Sequence, residues 1–150
     1  ALVFFAVVAA VFVLLTLCHF GGNTAGERTL KITIPEIPPS LNKHAGRANA
    51  WDYRAEKQRW LQLFIAYCPK CKPMGKAVVT ITYYFPTRHR HDPDNYNGKM
   101  LMDGLVHRGV IADDSFDHVE LRLRGAYDPK NPRTEIDIEE VTQWVNTERK

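Results

Sequence analysis

Cysteine is scarce in this chain: Cys18, Cys68 and Cys71 are the only three in 150 residues. An odd, low count excludes a disulfide framework. Cys68 and Cys71 form a single CxxC, and no second pair exists to complete a structural zinc site. Two reduced loop thiols are the plain reading, and zinc held with borrowed histidines is the alternative. A thioredoxin-like redox role lacks a leading strand with matching flanks. Charge of one sign is also lacking. The net charge is +3, which permits a nucleic-acid partner without requiring one. There are no internal repeats. Residues 1–18 carry no charged side chain, so all charge lies beyond them.

That first segment, ALVFFAVVAAVFVLLTLC, is apolar at every position except Thr16. It is long enough to just span a bilayer. It lacks the positive flank of a secretory signal, and Leu17 stands where a lipobox needs a small residue before Cys18. Three readings stay open: a membrane anchor, a removed signal, or an upstream extension outside the working domain. GGNTAGERT follows as a linker. The expected division is an extension plus linker over 1–26 and one domain over 27–150, large enough to bury a core without staples.

Within the domain, RTLKITIP (28–35) alternates as a strand. Residues 36–50, with two adjacent prolines and no periodicity, read as a loop. Residues 51–68 lack Gly and Pro. They set Trp51, Ala55, Trp60, Leu61, Phe64 and Ile65 near helical spacing, with Arg54, Lys57, Gln58 and Arg59 opposite. KAVVTITYYF (76–85) is a β-branched, aromatic strand. Residues 94–109 predict a helix with Leu101, Met102, Leu105 and Val106 inward and Gly109 as its stop. Residues 117–127 and 133–141 alternate as two further strands around the turn DPKNP. The order β-α-β-α-β-β predicts an α+β fold, one mixed sheet with two packed helices.

The chemistry concentrates in PTRHRHDPDNYNGKMLMDG (86–104). Asp92-Pro-Asp94 sets two carboxylates two residues apart. In an extended segment such side chains point the same way, as a hard divalent cation needs. Asp113-Asp114 follows about 20 residues on. An EF-hand is excluded, because Tyr96 and Asn97 stand where a ligand and a glycine are required. The bland alternative is a helix N-terminus capped by Asp94. Arg88, His89, Arg90 and His91 run straight into the carboxylates. With Lys43, His44, Arg47, Arg54, Lys57 and Arg59 they form candidate phosphate-holding strips. A solvated charged face is the competing reading. His89 and His91 suit a transition metal better than magnesium.

The ordered set PPSLNK (38–43), TRHRHDPDN, LMDGLVHRGVIADDS, VELRLRG and PRTEIDIEE resembles the RusA-type Holliday junction resolvases over about residues 29–141. The resemblance implies a RusA-like fold in a small homodimeric endonuclease dependent on Mg²⁺, with Mn²⁺ as a substitute. It implies a phage or prophage enzyme of DNA recombination and repair, working in the cytoplasm on four-way DNA junctions. On this resemblance Asp92, Asp94 and Asp114 bind the metal and Lys99 assists catalysis. Lys43, Arg47, Arg54, Lys57, Arg88 and Arg90 are expected to hold DNA. Asp103 and Asp113 are second choices, Asp103 being placed to pair with Lys99 at helical spacing. Lys99, Asp103 and Asp114 each lie one residue later than in the family, as one insertion near Asn97-Gly98 explains. The apolar N-terminus departs from the family. Two other functions remain: a non-catalytic nucleic-acid-binding module, and a metal-dependent phosphohydrolase anchored to a membrane through residues 1–20.

Overall fold

The structure is a computed structural model that describes residues 20–23, 27–44 and 50–142. The apolar segment 1–18, Arg47 and the tail from 143 lie outside the described residues. Five strands form one mixed sheet: β1 (Phe20–Asn23), β2 (Glu27–Ile34), β3 (Ala77–Phe85), β4 (Val119–Tyr127) and β5 (Arg133–Glu140). Among the described residues two helices accompany it, α1 (Ala50–Tyr67) and α2 (Lys99–Arg108). From Glu27 onward the observed order is the expected β-α-β-α-β-β. The expected linker begins instead as β1, which pairs antiparallel with β2.

The spatial order is β1-β2-β5-β3-β4, with β3 and β4 parallel and the other pairs antiparallel. Register explains the alternation seen in the sequence. Leu30, Ile138, Val79 and Leu121 stand in one row, and Ile32, Ile136, Ile81 and Leu123 in the next. Both rows face the helices, and all but the two leucines of β4 are fully buried. The opposite face carries Lys31, Glu135, Asp137, Glu120 and Arg122, joined by surface ion pairs. One wet face is ordinary for a largely antiparallel sheet.

The apolar stripe of α1 is narrower than its spacing suggests. Trp60 and Phe64 are fully buried and Cys68 follows them inward, but Trp51 is 78% exposed and Ile65 40%. Helix α2 buries Met100, Leu101, Met102 and Leu105. The two helices cross where Gly104 meets Phe64, and a Cβ at Gly104 would sit 2.5 Å from the Phe64 ring.

The helix expected over 94–109 is two elements. Pro93–Tyr96 makes a 3-10 turn, and α2 starts only at Lys99. Gly98 separates them with φ 75, a left-handed conformation that favours glycine. A side chain there would also meet Ile81 of β3 at 2.9 Å. The Asn97 side chain accepts a hydrogen bond from the Lys99 N–H at 3.0 Å. Asp94 therefore does not cap α2. The DPKNP turn closes as read, with Asp128 accepting from the Lys130 and Asn131 N–H groups and from Arg133.

Candidate active site

The β3–β4 crossover positions every candidate catalytic residue. Strand β3 ends at Phe85, and the chain turns back so that His91 stacks on the Phe85 ring at 3.7 Å. Tyr96 packs edge-on against both rings. This aromatic cluster pins both ends of the Asp92-Pro93-Asp94 segment. His91 is thereby part of the packing, with its Nε2 buried and without a protein partner among the described residues. His89, Arg88 and Arg90 stay exposed. Arg88 lies over the Tyr127 ring at 4.6 Å, and Arg90 donates to Asp92 at 2.8 Å.

A second group forms at the start of α2. Lys99 Nζ lies 2.8 Å from Asp103, one turn on, and 3.5 Å from Asp114, in the loop after the helix. Asp103 also faces Lys57 of α1 at 2.6 Å. That contact is a close charge pair, not an aligned hydrogen bond, since Asp103 Oδ2 has no hydrogen-bond partner of good geometry. Partial burial works against ionisation of Asp103. The pull of the adjacent Lys57 and Lys99 ammonium groups outweighs it and holds the carboxyl below its usual range. Asp103 in turn raises the Lys99 ammonium above its ordinary value, with a smaller contribution from Asp114. Lys99 is a positive charge lining a cleft of about 530 Å³ that also borders Asp114, Phe116 and Leu121.

Asp113 belongs to a different arrangement. Its carboxyl is lowered by the Ser115 hydroxyl and then by the Asp114 N–H. Ser115 Oγ lies 2.9 Å from His118 Nδ1, and Asp113 lies 3.6 Å from the same nitrogen. Both contacts fall on one ring nitrogen, so no serine–histidine–aspartate relay is formed. The cluster shapes the loop that carries Asp114.

The oxygen donors of Asp92, Asp94 and Asp114 suit a hard divalent cation. Their spacing does not form a cage: among the described residues no three of His, Cys, Asp or Glu stand close enough to share an ion. Asp92 borders a small pocket against Leu123 of β4, while Asp114 borders the larger cleft against Leu121.

Several expected DNA contacts are engaged within the protein. Lys57 is held by Asp103, and Arg59 by Glu36 and Glu56. Arg54 is exposed over Trp51, and Lys43 is exposed on the 3-10 turn Leu41–His44. The first helix is thus a salt-laced face, whereas Arg88 and Arg90 form the exposed basic strip nearest the carboxylates. Sequence reasoning missed the Lys57–Asp103 link and Phe116, which is 98% exposed beside Asp114. Asn97-Gly98 was the available signal for the break before α2.

An α+β fold with one mixed sheet and two helices on one face is the class that these observations define. No protein-family model matches the chain, and no curated protein is significantly similar to it. No helix among the described residues is long and apolar enough to cross a membrane.

Proposed function

We propose that the chain is a metal-dependent endonuclease that hydrolyses phosphodiester bonds in branched DNA, with four-way junctions as substrate and Mg²⁺ or Mn²⁺ as the cation. The observation that carries the reading is Lys99 held between Asp103 and Asp114 on the lining of a cleft. The ordered motifs shared with RusA-type resolvases supply the junction and the homodimer. When bound, a divalent cation neutralises charge on the phosphate and activates water. The chain's own residues supply the rest. Lys99 donates to a phosphate oxygen, and Asp103 keeps that ammonium charged and oriented. Arg88 and Arg90 hold neighbouring phosphates through charge-assisted hydrogen bonds. Asp92, Asp94 and Asp114 would hold the cation, Asp92 by releasing Arg90. Such an exposed pair is worth only about 0–1 kcal/mol, so the exchange costs little.

The test is the purified chain with labelled junction, duplex and flap DNA, with and without Mg²⁺. Metal-dependent cutting of the junction is the expected result, and no cutting of any substrate overturns the reading. A second reading, a non-catalytic nucleic-acid-binding module, draws on the ungathered carboxylates. It predicts junction binding that Asp92→Asn and Asp94→Asn leave intact, with no cleavage to lose.

A further inference from the structure

Strand β4 is an edge. It pairs with β3 on one side, and no strand among the described residues pairs with the other. Its nine-residue register against β3 runs without interruption, and it contains no proline. Of the devices that blunt an edge, a bulge and a proline are missing, while charged side chains are present in Glu120, Arg122 and Arg124 and restrict which partner fits. Among the described residues the opposite edge, β1, spans four.

Backbone direction can be assigned along β4. Ala77 N–H donates to His118 carbonyl and Asp128 N–H donates to Phe85 carbonyl. With Ala77 opposite Val119 and Phe85 opposite Tyr127, the even-numbered residues turn their backbone groups toward β3. Residues 119, 121, 123, 125 and 127 therefore present theirs outward. Apolar surface gathers at the same edge: Leu121 is 39% exposed, Tyr127 46% and Phe116 98%. The 530 Å³ cleft is bounded by both Glu120 and Leu121, which lie on opposite faces, so it wraps around the edge.

We infer that this edge takes a second copy of the chain in antiparallel register centred on Leu121, making one continuous sheet across a two-fold axis. Charge selects the register. Centred on Leu121, Glu120 of each copy stands opposite Arg122 of the other, in non-hydrogen-bonded pairs whose side chains lie closest. Val119 then faces Leu123, and the two Leu121 side chains meet on the axis. Centring on Glu120 or on Arg122 sets like charges against each other, and centring on Leu123 opposes Arg122 to Arg124. The Glu120–Arg122 pair present within one chain at 2.8 Å becomes half of a four-charge ring. A two-fold that pairs the same strand with itself is the ordinary form of a closed dimer. Strand pairing alone buries little, and Phe116, Leu121 and Tyr127 supply the apolar area beside it.

The inference stands apart from the nuclease reading, which expects two subunits but does not say where they meet. Its test uses the full chain without DNA or metal. Light scattering is expected to give twice the chain mass. Glu120→Arg and Arg122→Glu should each weaken the dimer about tenfold or more by replacing two attractive pairs with two repulsive ones. The double variant Glu120→Arg/Arg122→Glu should restore it. Leu121→Cys should form an interchain disulfide absent from the parent chain, since opposed residues in such pairs have Cα atoms about 5.5 Å apart. A monomeric parent, a double variant no better than the singles, or a Leu121→Cys variant that forms no interchain cross-link each overturns the proposal. An edge covered by the chain's own remaining segments would appear as the monomer.

Discussion

The two halves of the candidate site are built in different ways. Asp92 and Asp94 ride on a short turn, fixed from behind by stacked rings but open in front, with Arg90 as an exposed local counter-ion. Lys99, Asp103 and Asp114 are tied across α1, α2 and the following loop by a chain of ion pairs. The first half can change partners cheaply. The second is ordered before any substrate arrives. On the proposed nuclease reading, a site that grips a phosphate and admits a cation profits from this division, because preorganised charge stabilises a transition state without reorganising.

The comparison breaks most clearly on cleavage. Asp94→Asn and Asp114→Asn should each lower the cleavage rate about 10²-fold or more, the scale of several kcal/mol from a cation-holding carboxylate. Junction affinity in a gel-shift assay should be retained. If only Asp114→Asn mattered, the adjustable half would be structural. Next in size is Gly104→Ala, which drives a methyl into Phe64 at the helix crossing beneath the ordered half. Overpacking of this kind costs about 1–3 kcal/mol, less a gain of up to about 1 kcal/mol in helix propensity. Urea unfolding should show a lower midpoint at unchanged slope.

A smaller effect separates the halves by pH. The folded-state carboxyl of Asp103 is lowered, so its contribution is present above its unfolded value of about 3.9 and fades as pH falls through the lower folded value. Solvent screening keeps that contribution below about 1 kcal/mol. Asp103→Asn should flatten this part of the acid limb in thermal melts recorded below about pH 4. The smallest effect is expected for Arg90→Ala. Its stability change should stay within about 0.5 kcal/mol, while half-maximal cleavage shifts to lower Mg²⁺ because Asp92 loses its competing partner.

Much of this architecture was legible in the residues. The strands announced themselves because one face is buried and the other wet, and register preserves that alternation across four strands. Helix α1 was legible as a helix but not in its depth. Spacing places Trp51 and Ile65 near the stripe, while Trp60 and Phe64 are the fully buried side chains of the helix and Tyr53, Leu63 and Tyr67 pack partly buried beside them. The merged helix over 94–109 failed for a local reason. Helical periodicity continues through Gly98, and a single left-handed residue interrupts it without changing the pattern of apolar positions. At the site, Lys99 with Asp103 was readable from spacing of one turn. Lys57 with Asp103 was not, because a pair between helices depends on their crossing. The engagement of Arg59 and Lys57 by carboxylates was invisible for the same reason.

The central place of β5 reaches beyond the site. The last strand of the order lies between β2 and β3, which do not touch each other. A nascent chain lacking residues 133–140 therefore has two inner sheet edges open and no continuous core between them. Such distant pairings close slowly, since loop entropy must be lost before contacts repay it. A chain cut short before Arg133 should therefore leave those edges open to pairing with other chains.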